Sequence, residues 1–312
     1  MGDVVTTDMG RDFSIAVKAD GSLWAWGRIE RFGAEGQQPV KLMDDVVFAV
    51  TGSDDIAFIK TDGSLWLWGN SVNLISGMFD LFSQLDEDDL SGLDSRTLSI
   101  YNELKQKYGD IPAGSPLKIM DDVVFASVAE CIYSGSVLAI KTDGTLWKWS
   151  ALNTVNIFEL DDVVYVSYTG NLAMVVKSDG SLWAWGNNFR GEVGNGTTEE
   201  IWFPEKIMDD VATVSIGAWH TLAVKTDGSL WAWGGNEYGQ LGDGTTESKT
   251  TPIKIMDDVM YASAGGDHSL AVKRDGSLWV WGRQFVGVTE DGNIIWLSEN
   301  KSSPIKIMDD FR

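Results

Sequence analysis

The sequence predicts an all-β fold, a β-propeller of six four-stranded blades carrying a helical insertion, and three observations predict it. Asp-Gly recurs at Asp20-Gly21, Asp62-Gly63, Asp143-Gly144, Asp179-Gly180, Asp227-Gly228 and Asp275-Gly276, each time followed by Ser or Thr and then Leu-Trp-x-Trp. A second marker closes each copy, an Asp-Asp pair at Asp44-Asp45, Asp121-Asp122, Asp161-Asp162, Asp209-Asp210, Asp257-Asp258 and Asp309-Asp310. The last three Asp-Gly pairs stand 48 residues apart, a period that marks repeat architectures and suits a four-stranded propeller blade.

Each unit reads as short strands. In the fifth, residues 211–216 alternate weakly between apolar and polar, and 221–225 form a brief apolar run. Asp227-Gly228 has the composition of a two-residue type I′ hairpin turn, residues 229–233 return, and 252–256 supply a fourth strand before the next Asp-Asp. Residues two apart in a strand face the same way, so Trp231 and Trp233 point together, with Leu230 and Ala232 opposite. Burying one Trp removes about 150–250 Å² from water, roughly 4–6 kcal/mol at most. The twelve tryptophans of the six Trp-x-Trp pairs are therefore read as core between blades rather than as sugar-stacking platforms. Trp202, Trp219 and Trp296 fall outside the pattern, in loops or at loop edges, and are candidates for exposed contacts.

Composition narrows the chemistry. The chain has 312 residues, is 44% hydrophobic and 11% aromatic, and carries a formal net charge of −22. Such acidity opposes binding to nucleic acid or anionic membranes, and no apolar run approaches the length of a membrane span. A single cysteine, Cys131, excludes an intrachain disulfide and any multi-Cys zinc site, and reads as a small buried apolar residue. His220 and His268 occupy one repeat position, filled elsewhere by Phe13, Asp55 and Leu172, which favours packing over a catalytic pair. The Asp-Asp pairs read as turn formers, because two adjacent carboxylates offer too few oxygens for calcium. No catalytic constellation, cofactor or metal site is expected. No leader is visible; the compartment is open, with an exported or cell-surface domain slightly favoured over a cytoplasmic one.

The stretch GAWHTLAVKTDGSLWAWGGNEYGQLGDGTT, residues 217–246, resembles the repeat of the regulator of chromosome condensation family. It carries that family's Gly-x-x-His-Ser/Thr, Trp-Gly and Gly-Gln-Leu-Gly features, and the acidity suits a bacterial-type acidic member. The match is close in the fourth and fifth units and looser elsewhere. The resemblance implies a propeller, seven-bladed as the usual family form and so the alternative to six blades, serving mostly as a platform for protein partners. The founding member also acts in nucleotide exchange on a small GTPase, but no exchange element is identifiable here.

Four units depart from the pattern after Trp-Gly. The first has RIERFGAEGQQP at 28–39, the third shrinks to SALNTVNIFEL at 150–160, and the sixth expands over 283–303 into what reads as a hairpin around Asp291-Gly292. The second carries an insertion over 71–115. Leu74, Ile75, Met78, Phe79, Leu81, Phe82 and Leu85 follow a helical period. A second helix is expected over 95–108, with Asp94 as N-cap, Gly109 as C-cap and Leu98, Tyr101, Leu104 and Tyr108 in one stripe. DEDDLSGLD resembles a calcium loop, but Leu90, Ser91 and Thr97 stand where ligands and the Gly are required.

The sequence thus predicts one domain over 1–312, a non-enzymatic monomeric scaffold that binds a protein partner through irregular loops on one face. The candidate contact residues are Arg28, Arg31, Phe32, Phe79, Phe82, Tyr101, Tyr108, Phe285 and Trp296. A carbohydrate or small-ligand module using loop tryptophans is the alternative, and a guanine nucleotide exchange factor a third reading.

Overall fold

The fold is seen in a computed structural model, which describes residues 3–32, 38–73, 75–76, 98–99, 102, 105–106, 108, 111–112, 114–129, 136–150, 153–157, 160–283, 286–288, 294–296 and 299–309. The described residues form six four-stranded antiparallel sheets, the blades of a β-propeller. Six blades, not seven, are present among them. Each blade is built from consecutive segments, from Val4–Met9 through Val40–Met43 in the first to Val259–Ala264 through Lys301–Met308 in the sixth, so no strand is borrowed from the other terminus. Contacts group the chain into two compact units, Met1–Asp161 and Asp162–Arg312, with three blades in each.

The fifth blade serves as template, with strands Val211–Ile216, His220–Lys225, Leu230–Gly234 and Lys249–Met256. Its hairpin differs from the two-residue turn expected. Gly228 N–H donates to the Lys225 carbonyl at 2.9 Å and Lys225 N–H to Ser229 O at 2.9 Å, the pattern of a type I turn followed by a glycine bulge. Only Gly228 takes positive φ, at 86°, whereas a type I′ turn would put Asp227 there too. The Asp227 side chain explains the choice: its Oδ1 accepts from Ser229 N–H at 2.8 Å and Ser229 Oγ–H at 2.6 Å. Those donors hold the Asp227 carboxyl below the usual carboxylate range.

Ser229 in turn accepts from Trp231 Nε1–H at 3.0 Å, and Lys225 Nζ lies 5.4 Å from the centre of the Trp231 ring. The other five blades repeat the indole bond through Ser22, Ser64, Thr145, Ser181 and Ser277 and the ammonium through Lys18, Lys60, Lys141, Lys177 and Lys273. The first Trp of each pair is therefore half-buried and tied to its own hairpin. The second is the mortar foreseen: Trp68, Trp149, Trp185, Trp233 and Trp281 are buried, and Trp26 is half-buried.

The Asp-Asp pairs are local turn devices. Except at Asp161, the first Asp meets a lysine three residues earlier, as in Lys206–Asp209 at 2.7 Å and Lys254–Asp257 at 2.6 Å. The second adopts left-handed φ of 59–66° at Asp45, Asp122, Asp162, Asp210 and Asp258, a region Asp tolerates better than most residues.

Neighbouring blades of the second unit are joined by the regular loops. Trp233 Nε1–H donates to the carbonyl of Glu192 at 2.7 Å, and Thr221 Oγ–H donates to the same oxygen at 2.9 Å. Trp281 and Ser269 repeat this on the Gln240 carbonyl at 2.8 and 2.7 Å. The first strands add a link: Ser167 Oγ accepts from Ile216 N–H at 3.3 Å and Ser215 Oγ from Ala264 N–H at 3.0 Å. In the first unit Asp8 holds the corresponding strand position, accepting from Thr51 N–H at 2.8 Å, and burial pushes its carboxyl upward.

The insertion is helical at 70–73, 75–76, 98–99, 102, 105–106 and 108; Leu74, Met78, Phe79, Leu81, Phe82, Leu85, Asp94, Tyr101, Leu104 and Gly109 lie outside the described residues. Val72 and Ile75 enter a core cluster with Trp149, against which Tyr108 packs. The sixth unit's extra hairpin is present as Val286–Val288 paired with Ile294–Trp296, its tip at Asp291-Gly292 lying outside the described residues, as does Cys131.

A pair of glycine substitutions separates packing from backbone strain in the blade-joining loop. Gly194 and Gly196 share φ of +89° and +90°, but a Cβ on Gly194 would lie 2.7 Å from Trp233 Nε1, whereas one on Gly196 meets only Thr251 Cγ2, at 3.7 Å. Gly196→Ala is expected to cost about 1–2 kcal/mol, the left-handed penalty alone, and Gly194→Ala about 2–4 kcal/mol, as read from urea denaturation midpoints.

Candidate functional site

The residues nominated from sequence separate on the structure. Arg28 is exposed and pairs with Asp12 at 3.4 Å, and Arg31 lies in the short 3-10 turn Glu30–Phe32. Phe32 does not fit a contact residue: it is 2% exposed and packs edge-on against Phe13 at 5.1 Å and Trp68 at 5.6 Å. With Ile29, Phe32 plugs the core of the first two blades. Tyr108 is also turned inward, its hydroxyl accepting from Trp149 Nε1–H at 2.6 Å. Phe79, Phe82, Tyr101 and Phe285 lie outside the described residues, and Trp296 lies in the strand Ile294–Trp296.

Exposed aromatic surface gathers instead on the regular units. Phe189 is 69% exposed, Trp202 74%, Phe203 80% and Trp219 38%, so two of the three tryptophans outside the pattern are exposed as expected. Phe189, Phe203 and the arginine beside them were not nominated, because they lie in the two units whose loops keep the repeat. Position-by-position comparison of these units carries the signal, since Phe189 stands where the next unit has Glu237, and Trp202-Phe203 where it has Thr250-Thr251.

One end of the fourth to sixth blades holds a run of cation–aromatic contacts. The Arg190 guanidinium lies 4.8 Å from the Trp219 ring centre and is ion-paired with Glu237. One repeat on, Arg283 lies 4.8 Å from the Tyr238 ring and 3.0 Å from Asp267. Gly235 permits the approach, since a Cβ there would meet Arg190 Cδ and Trp219 Cβ, each at 3.1 Å. These contacts hold both aromatic rings in place, and Phe189, next to Arg190 in the chain, is exposed. Rigid aromatic area costs little entropy when a partner covers it.

His220 and His268 follow Trp219 and Asp267 in the chain. His220 Nε2 lies 2.9 Å from Ser269 Oγ, whose own proton goes to the Gln240 carbonyl. The hydroxyl hydrogen being committed, Nε2–H is assigned as the donor and Nδ1 is left as an unpartnered acceptor. Complete burial, then the charge of His268, pushes the imidazole down to about 3. With both His220 and Ser269 fully buried, this arrangement supports packing, as expected. Among the described residues no cluster of three or more His, Cys, Asp or Glu side chains forms a metal site, and no helix is long and apolar enough to cross a membrane.

With the repeat geometry in place, the class is a propeller built from Trp-anchored repeats. The chain carries repeats of the regulator of chromosome condensation (RCC1) type: the model of that repeat matches residues 179–224 and 227–272, and a second form of the same repeat matches 211–240 and 262–288. No curated protein matches in sequence. Among solved structures the chain is similar to Prp20p from Saccharomyces cerevisiae, studied for its binding to Gsp1p and histones, at 16% identity and a TM-score of 0.73, covering 98% of this chain and 77% of that one. It is also similar, at 16% identity, to yeast RCC1 (Prp20) in the structure with Kap60 bound (TM-score 0.74, 98% and 75% covered) and to human WBSCR16 (TM-score 0.71, 98% and 82% covered). At this identity the likeness establishes the fold.

His220 gives a pH test. Its folded-state pKa is about 3 against an ordinary 6.5, so between those values the unfolded chain binds the extra proton. The stability from the neutral imidazole is present above pH 6.5 and is lost as pH falls through that window. His220→Gln, which keeps an N–H donor, should flatten the stability profile between about pH 6.5 and 4, and nitrogen NMR should show the wild-type ring neutral with Nε2 protonated down to about pH 4.

Proposed function

We propose that this chain is a non-enzymatic propeller scaffold that binds a protein partner at the loop end of its fourth and fifth blades. The observation that carries the reading is the exposed aromatic pair Phe189 and Trp219, with Arg190 held between the Trp219 ring and Glu237. An aromatic and arginine combination is the composition enriched at interface hot spots. Protein binding by the yeast relative, studied with Gsp1p and histones and seen with Kap60, supports the class of activity without naming a partner here.

Crosslinked capture with quantitative mass spectrometry tests it, using the chain as bait in lysate from its own source cells. Phe189→Ala with Trp219→Ala should reduce a captured protein at least about fivefold. Met260→Ala with Tyr261→Ala, exposed residues near the opposite end of the sixth blade, should leave it unchanged. Equal capture by both pairs overturns the assignment, and so does glycan-array binding that the first pair alone abolishes.

A further inference from the structure

The fourth strand of the fourth blade, Ile201–Met208, lies at the edge of its sheet, paired only with Leu182–Gly186. Its register is irregular between the Ala184–Glu205 and Gly186–Ile201 pairs. A bulge there breaks the alternation of sides, and consecutive Trp202 and Phe203 both emerge into solvent.

The next two blades show what this place normally holds. In the fifth, Thr250 stands at the Trp202 position, and its carbonyl accepts from Gly196 N–H of the preceding loop at 2.8 Å. In the sixth, the Ser302 carbonyl accepts from Gly244 N–H at 2.8 Å. Among the described residues no loop N–H is donated to Trp202 in this way, and the preceding unit has no Gly-x-x-Gly in its sequence. Charge differs in parallel. Lys249 opens the fifth blade's strand and pairs with Glu247 at 3.3 Å and Asp243 at 3.7 Å; Lys301 opens the sixth and lies 3.9 Å from Glu299. The fourth blade has Ile201 instead, so Glu199, equivalent to Glu247, and its neighbour Glu200 are exposed without that lysine. Lys206, farther along the strand, is paired with Asp209 at 2.7 Å.

We propose that Trp202 and Phe203, with Glu199 and Glu200, form a docking site for a lysine- or arginine-bearing extended segment of a partner protein. The partner's cation takes the place that Lys249 and Lys301 hold in the other blades. Its stem and backbone lie on the two rings, which attract a cation through their faces, and its N–H groups meet the open strand edge. The site rests on the protein-partner reading but lies on different residues from Phe189 and Trp219.

The test is fluorescence anisotropy of a labelled peptide alternating glycine and lysine, at roughly 150 mM salt to suppress long-range attraction. Its twin with acetylated lysines is the control. Trp202→Thr with Phe203→Thr installs what the fifth blade carries and leaves net charge unchanged, so the variant is expected to fold; a melting curve checks this. Ile201→Lys restores the internal cation. Each should weaken peptide binding about tenfold or more, and the acetylated twin should not bind. Equal binding by either variant, equal binding of the twin, or capture of oligosaccharide but not peptide overturns the site. A chain that loses its partner on Phe189→Ala with Trp219→Ala yet ignores the peptide overturns this proposal alone.

Discussion

The second unit depends on one acceptor, the carbonyl oxygen of Glu192 and its repeat equivalent at Gln240. Each takes two donors from the following blade, an indole N–H and a hydroxyl. A net hydrogen bond is worth about 1 kcal/mol, but a buried partner left unpaired costs about 1–3 kcal/mol, so the loop, the hydroxyl and the indole are chosen together. The indole approaches so closely that Gly194 and Gly242 have no room for a Cβ, which would lie 2.7 Å from the ring nitrogen in both. His220 then follows, because the Ser269 hydroxyl that donates to Gln240 still has a lone pair to satisfy and the imidazole N–H fills it. Two donors spaced widely in sequence thus converge on one oxygen, with the loop glycine and His220 fitted around them.

In the second and third blades the tryptophan is satisfied by other chemistry. Trp68 Nε1–H donates to the Gly114 carbonyl at 2.7 Å, and Trp149 Nε1–H to the Tyr108 hydroxyl. Phe32 covers the Trp68 ring, and Ile29 joins the same core cluster. The insertion is also tied at its start, where the buried Asp55 carboxylate accepts from Ser71 N–H at 2.9 Å and its hydroxyl at 2.6 Å. Asp55 occupies the histidine position of the later blades. Irregularity in these loops therefore reflects a different way to close the same joint, and it removes Phe32 and Tyr108 from the exposed surface.

The blades were legible because their signals are local. Asp-Gly, the Trp-x-Trp alternation and the Asp-Asp pairs each act within a few residues, and the extra hairpin of the sixth unit could be read the same way. Turn type was not legible, since the choice between a type I′ turn and a type I turn with a bulge rests on the Ser229 hydroxyl reaching Asp227, a side-chain contact that composition does not encode. The direction faced by Phe32, Tyr108 and Phe189 was equally hidden. A helical or loop aromatic looks the same in sequence whether the neighbouring blade offers it a cavity or not. Trp202 and Trp219 were found because tryptophan outside the repeat is conspicuous, while Phe203 stood unremarked beside one of them.

The acidity of the chain acquires a structure-based division. The Asp of each Asp-Gly turn is bonded to the Ser or Thr two residues on, as Asp227 and Asp275 show. The first Asp of each Asp-Asp pair except Asp161 meets a lysine, and Asp45, Asp122, Asp162, Asp210 and Asp258 each hold a left-handed turn. Those carboxylates are spent on shape. Their positions repeat from blade to blade, so they present the same field in every unit and distinguish no partner. Discrimination requires residues that break the repeat while the blade beneath stays intact, and the fourth blade meets that condition: its Glu192, Asn188 and Trp185 keep the regular packing, while Phe189, Trp202, Phe203 and the missing lysine at Ile201 are confined to its surface. A near-identical neighbour performs the same folding task without them, which leaves their exposure unexplained by stability.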